Sequence, residues 1–330
     1  MSEPPYEGTF RERIARNRRN SLLLIAVFLA FITLFGYVIG FALLGDPTRA
    51  LFGLTLALVV GVIAGLISYF AGDKMVLAAS RAREITHDDA PVLFNVVEEM
   101  SIASGGPMPK VYIVDDSAPN AFATGRNPEH ATVAVTSGLL EKLDRDELQG
   151  VIAHEMSHVA NFDIRYSMLV GILVGTTVLI SDFFLRGLWF GGGGRGGGRR
   201  GGDGGGQAQI IMLLVAIVLA ILAPLFARLL QLSISRQREF LADATAVSLT
   251  RNPKGLADAL QKISGDREVL EVANRATAHL YIVNPIKRFE KRSKGLFSTH
   301  PPIEERIMIL RALESGGVAE TSGQTSTETP

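Results

Sequence analysis

The segment Leu143-Asp-Arg-Asp-Glu-Leu-Gln-Gly-Val-Ile-Ala-His-Glu-Met-Ser-His-Val-Ala-Asn161 carries the strongest pattern in the chain. Leu148, Val151, Ile152, Met156 and Val159 recur at helical spacing. Acids at 144, 146 and 147 favour the first turn through the helix dipole, and Asn161-Phe162-Asp163 breaks the helix. Inside it stands His154-Glu155-Met156-Ser157-His158, a match to H-E-x-x-H. Residues four apart share one helical face, so both imidazoles reach one metal ion while Glu155 projects beside them toward an open coordination position. With 6 histidines in 330 residues, such a match arises by chance in roughly 1% of chains. The pattern predicts a helical metal site suited to zinc-activated hydrolysis.

Ahead of this helix, Ala90–Ala103 has the apolar spacing of another helix (Val92, Val96, Val97, Met100). Lys110-Val-Tyr-Ile-Val-Asp115 and Ala131-Thr-Val-Ala-Val-Thr136 are short β-branched runs bounded by Gly, Pro, Asn and Asp, the signature of strands. The second strand, just before the metal helix, is expected to offer an edge to which an extended peptide adds.

Further out, the composition changes. Ser21–Gly45 carries no charge over 25 residues and Ala50–Gly72 none over 23, each long enough to cross a bilayer as a helix. A secretory signal would have a shorter apolar core followed by a small-residue cleavage site. Arg11, Arg13, Arg16, Arg18 and Arg19 precede the first run, and Lys74, Arg81 and Arg83 follow the second. The positive-inside rule then places both flanks of this helical hairpin in the cytoplasm. Two further apolar runs, Ser167–Leu185 and Ile210–Leu230, flank a segment of 16 residues, 191–206, that contains 12 glycines and reads as a linker. This pair is expected to span the bilayer, the alternatives being helices that lie in the interface or pack on the soluble part.

The expected organisation is therefore a basic N-terminus at 1–20, a transmembrane hairpin at 21–72, and a catalytic domain split into 73–163 and 231–315. Two apolar helices at 164–230 interrupt that domain, and a small polar tail, 316–330, follows it. The mean hydropathy is +0.25 and only 20% of residues are charged, as suits a membrane protein. Lys plus Arg and Asp plus Glu both number 33, so no basic excess points to nucleic acid, and the N-terminal arginines are assigned to topology and anionic lipid. The absence of cysteine excludes a thiol nucleophile, a disulfide scaffold and Cys-based metal sites. Metal ligands must be His, Asp or Glu.

A catalytic zinc site takes three protein ligands and leaves one position open. Glu239, in Ser235-Arg-Gln-Arg-Glu-Phe-Leu-Ala-Asp243-Ala244, shares a helical face with Asp243. One of these carboxylates can bind metal while the other receives a ligand histidine's free N–H. Spacing alone leaves open the alternative that these charges form an ordinary solvated face. His87, His130 and His279 lie at no ligand spacing and are read as surface or capping residues.

H-E-M-S-H, Arg238-Glu-Phe-Leu-Ala-Asp-Ala244, Asn120-Ala-Phe-Ala-Thr-Gly125 and Thr299-His-Pro-Pro-Ile-Glu-Glu-Arg306, in their chain order, closely resemble the HtpX family of membrane-bound zinc proteases. That family belongs to the M48 class, with the Ste24 prenyl-protein proteases. The likeness implies an α-helical membrane protein joined to an α+β zincin-like (gluzincin) metalloprotease domain, mostly helical with a small β-sheet. It further implies that His154, His158 and Glu239 bind one Zn2+ per chain. Glu155 would be the general base and Asp243 the acid behind a ligand. By the same resemblance Asn120 lies beside the substrate cleft and His300 helps to stabilise the oxyanion.

The expected activity is a metalloendopeptidase of the cytoplasmic (inner) membrane, multi-pass, with its catalytic domain facing the cytoplasm. By resemblance its substrates are damaged or misfolded membrane proteins, in quality control under stress. Two other readings stand beside it. A Ste24-like prenyl-protein protease would need more membrane spans than this chain offers. A non-catalytic zinc-binding membrane scaffold would have a site closed by four protein ligands.

Overall fold

The computed structural model describes residues 10–191, 210–211, 213–223, 236–266, 268, 270, 280–282 and 301–314. The 191–206 linker beyond Gly191, the tail at 316–330 and His279 lie outside the described residues.

Helix α1 (Phe10–Leu44) and helix α2 (Pro47–Ala79) form an antiparallel hairpin. The reversal takes two residues. Gly45, at φ +68°, donates its N–H to the Phe41 carbonyl, and Asp46 caps α2 by accepting the Arg49 N–H at 2.8 Å. Pro47 sits in the first turn of α2, where its missing N–H is not needed. The helices cross closely because small residues face each other. A Cβ added to Gly36 would lie 2.2 Å from the Ala57 Cβ, and one added to Gly53 would lie 2.5 Å from the Gly36 carbonyl oxygen. On the outer face of α2, Phe52, Leu56, Ile63, Leu66 and Phe70 are exposed, the surface expected of a helix that meets lipid. Leu22–Leu44 and Pro47–Ala79 are long and apolar enough to cross a membrane.

Helix α2 has 33 residues and so measures about 50 Å, against a hydrocarbon core of roughly 30 Å. Its last turns leave the apolar layer and enter the catalytic part, where Val76 and Leu77 are buried against Val114, Phe122, Ala134 and Tyr281.

There a four-stranded mixed sheet forms in the order β1-β2-β4-β3. Its strands are β1 (Arg83–Glu84), β2 (Lys110–Val114), β3 (Ala121–Gly125) and β4 (Ala131–Thr136). β2 runs parallel to β4, with Val111 opposite Val133, and β3 antiparallel, with Ala123 opposite Val133. The strand expected to provide the free edge, Ala131–Thr136, is instead central, and every one of its residues is buried. A continuous small and β-branched run suits a strand covered on both faces. The edge strands are β1 and β3.

Helix α3 (Pro91–Ser104) covers one face of the sheet. Thr136 caps the short α4 (Ser137–Lys142), and α5 (Arg145–Ala160) follows, opened by a full capping box between Asp144 and Glu147. Gly150 of α5 meets the backbone of α9 (Pro253–Gly265), since a Cβ there would lie 2.6 Å from Leu256 N. Helix α6 (Asp163–Gly191) starts two residues after α5 ends and returns to the hairpin, packing Tyr166, Leu169, Val170 and Leu173 on Leu24, Phe28 and Ile32 of α1. Of the fourth apolar run, residues 210, 211 and 213–223 are helical. Helix α7 (Leu213–Ala223) puts Ala216 and Ala220 against Phe35 and Val38 of α1. Helices α8 (Arg236–Thr250) and α10 (Ile303–Glu314) close the core over α5 and α9.

Candidate active site

Helix α5 carries His154 and His158 on one face, and the Nε2 atoms of the two rings are 3.2 Å apart. His154 Nδ1–H donates to Asp243 Oδ1 at 2.9 Å, and His158 Nδ1–H donates to Asp163 Oδ2 at 3.2 Å. When each ring is neutral with its proton on Nδ1, both Nε2 atoms present lone pairs to the same point. Two such nitrogens repel unless a cation lies between them. Glu239, on the first turn of α8, brings Oε1 to 3.7 Å from His158 Nε2 and Oε2 to 3.8 Å from His154 Nε2. One ligand atom from each of the three residues lies within 4.8 Å of the others. Two nitrogens held by one tetrahedral zinc at about 2.0–2.1 Å stand roughly 3.3 Å apart, so the imidazole spacing already fits. A buried N, N, O donor set without thiolate suits zinc or a similar divalent ion.

Glu155 points into the same cleft. It is buried, and its carboxyl accepts the backbone N–H of Ala123 on β3. Burial pushes its pKa up to about 7, against the lowering effect of the neighbouring His158 charge. For His158, burial disfavours the charged ring, but the Asp163 hydrogen bond and the Glu239 charge outweigh it and push its pKa up to about 9. His154 moves the other way, downward, through burial and the nearby Arg306 charge.

Arg306 of α10 is buried among these groups. Its Nε donates to Asp243 Oδ2 at 2.8 Å and one terminal nitrogen to Asp243 Oδ1 at 2.7 Å. The other terminal nitrogen lies 3.5 Å from Glu239 Oε2 and donates to the Ile282 carbonyl at 3.4 Å. Burial alone would raise the Asp243 pKa, yet the Arg306 charge with the His154 and Arg306 hydrogen bonds lowers it to about 2.

The remaining expected residues fall less centrally. Asn120 is buried immediately before β3, where its Oδ1 accepts the Ala121 N–H at 3.1 Å, and it is not among the residues lining the cleft. His300 lies outside the described residues. His87 and His130 are exposed, each bonded to a nearby Asn side chain. Two residues carry more than their sequence setting suggested. Asp163 reads as part of a helix breaker and is instead the partner of His158. Arg306 sits at i+3 from Ile303 and i−4 from Leu310; a charge on the apolar face of a helix is the signal that marks it.

Water activation for peptide hydrolysis is the chemistry such a centre serves, and the fold class is that of a membrane metallopeptidase. Comparison with known proteins narrows the class. The chain belongs to peptidase family M48, which matches residues 88–314, and within it to the HtpX-type proteases. A protease HtpX homolog of Listeria monocytogenes serotype 4b is 48% identical over 299 residues, 90% of this chain and 97% of the relative. Homologs from Streptococcus uberis (44% over 300 residues; 91% and 98%) and Dictyoglomus thermophilum (43% over 306; 92% and 95%) are similar over the same extent. A crystal structure of S. mikatae Ste24p gives a TM-score of 0.43 at 20% identity, covering 90% of this chain and 66% of that one. The protein is a membrane metalloprotease, and its substrates are proteins.

Proposed function

We propose that the chain is a zinc-dependent endopeptidase of the cytoplasmic membrane that cleaves damaged or misfolded membrane proteins in quality control under stress. In this reading it is multi-pass, with its catalytic part facing the cytoplasm. The observation that carries the reading is the convergence of two imidazole Nε2 atoms and the Glu239 carboxylate beside the buried Glu155. His154, His158 and Glu239 hold the ion, and Asp243 fixes the His154 tautomer. When bound, zinc supplies Lewis acidity that makes water nucleophilic near neutral pH. Glu155, with a pKa of about 7, takes the proton from the attacking water and delivers it to the leaving amine. Family resemblance assigns His300 to the oxyanion and Asn120 to a position beside the substrate cleft, whose described lining does not include it.

The location of the cleft supports a membrane-proximal substrate, because Ile164 and Ser167 of α6 line it on the same turn whose Tyr166 packs on α1. The flanking charges Lys74, Arg81 and Arg83 support the orientation. The test is casein cleavage by the detergent-purified chain, wild type against Glu155→Gln, with zinc measured on both. Zinc near one per chain in each, with cleavage reduced at least about 100-fold in the variant, is expected of a lost general base. Equal cleavage by a zinc-loaded variant would remove Glu155 from the mechanism.

A further inference from the structure

Asp163 joins two parts of the molecule that the metal site does not by itself require to be joined. It is buried at the first turn of α6, and its Oδ2 accepts His158 Nδ1–H at 3.2 Å. Its Oδ1 lies 3.5 Å from a terminal nitrogen of Arg238, which neighbours Glu239 on α8. The Arg238 guanidinium in turn lies 4.4 Å from the centroid of the Tyr166 ring, on α6. Tyr166, with Leu169, Val170 and Leu173, belongs to the face that packs on Leu24, Phe28 and Ile32 of α1. The junction that aims Asp163 back at α5 is unusual, since Phe162 adopts φ +61°, a left-handed conformation that a bulky side chain rarely takes. A tight reversal at that point places the first carboxylate of α6 behind the histidine that ends α5.

We propose that Asp163 is the positioning residue for His158, and that through it the packing of α6 on the membrane hairpin sets the orientation of one metal ligand. The site then has two matched supports. His154 is held by Asp243 of α8 and Arg306 of α10, and His158 by Asp163 of α6, whose other oxygen faces Arg238 of α8. Each carboxylate fixes a ring tautomer with Nε2 free for the ion, and each arginine fixes its carboxylate. The proposal rests on the metal-site reading above.

The test uses the full chain in detergent, as wild type, Asp163→Asn and Arg238→Gln, with two readouts that do not depend on proteolysis. One is zinc affinity by competition with a chromophoric chelator, and the other is the visible spectrum after loading with Co2+. Asp163→Asn is expected to bind zinc about 10–100-fold more weakly than wild type, with a displaced Co2+ spectrum. Arg238→Gln should produce a smaller loss, and the double variant should be no weaker than Asp163→Asn, because both act through one carboxylate. Wild-type affinity and spectrum in Asp163→Asn would overturn the proposal. Should Asp163→Asn fail to fold, Arg238→Gln decides: a weaker site with a shifted spectrum supports the proposal and an unchanged one refutes it. A wild type that binds no stoichiometric zinc would instead overturn the metal site itself.

Discussion

Replacing Arg306 by Met tests whether the anionic cluster behind the metal site is held by that one cation. Met approximates the volume and removes the charge, leaving Asp243 and Glu239, 3% and 4% exposed, without the guanidinium between them. Breaking a buried pair from one side costs about 3–5 kcal/mol, because the surviving charge stays buried and uncompensated. For a folded unit of this size, 1 kcal/mol corresponds to about 2–4 °C in Tm, so the melting temperature should fall by roughly 6–20 °C. The assay is thermal unfolding of the detergent-purified chain, with chelator and with zinc. The loss should be smaller with zinc, since a divalent cation at His154 and Glu239 supplies part of the missing positive charge. Adding Asp243→Asn should recover stability, because it removes the stranded anion while keeping an acceptor for His154. A Tm within about 2 °C of wild type, or a double variant that loses the full sum of the single losses, would refute the reasoning.

Elsewhere the consequences follow from packing and from surface charge. Gly53→Leu should destabilise the hairpin by about 1–3 kcal/mol or more, since even a Cβ there meets the Gly36 carbonyl at 2.5 Å. Gly65→Leu, where nothing lies within 4 Å of an added Cβ, should leave the melting temperature unchanged and serves as the control. The Asp258 pKa is lowered: partial burial raises it, but the hydrogen bonds from Lys254 and Arg311 prevail. A depressed carboxylate stabilises the fold above its unfolded pKa, and that contribution disappears as pH falls through its folded value. Asp258→Asn should therefore lower Tm slightly at pH 7 and not at all at strongly acidic pH, a small effect because the pair is near the surface.

How much could be read from the chain depended on whether a residue's partners were local. The capping box at Asp144 and Glu147, the helical stripe from Leu148 to Val159 and the strands at 110 and 131 follow from neighbours within one turn or one pleat, and the structure has all of them. β3 escaped because Ala121-Phe-Ala-Thr-Gly125 lacks a β-branched run; it is a strand by virtue of pairing with β4. Its Gly125 closes that pair at φ +140°, where a Cβ would lie 2.4 Å from the His130 carbonyl oxygen. Glu239 and Asp243 share a face by spacing, but which of them turns toward the histidines depends on how α8 packs on α5. Asp163 looked like punctuation because its partner is the ring of His158, reached only through the reversal at Phe162.

The helices that pack in the apolar bundle also serve as structural walls of the catalytic part. α2 exceeds the length of an apolar layer of roughly 30 Å and uses its last turns inside the catalytic part, and α6 begins there. α2 supplies Val76 and Leu77 beneath the sheet, and Ser80, whose Oγ is 3.1 Å from the Tyr281 hydroxyl. Tyr281 lines the metal cleft and packs edge-on against Phe122 of β3. α6 supplies Asp163, Ile164 and Ser167 to the lining of that cleft. α6 thus lines the cleft directly and α2 stands behind Tyr281, and both helices also pack in the bundle at Phe28, Ile32 and Ala57. A rigid helix transmits displacement along its axis, since its backbone hydrogen bonds leave it few ways to absorb strain. On the proposal above, a shift of the bundle would reach the cleft through α6 and Asp163, whose carboxylate accepts from the His158 ring.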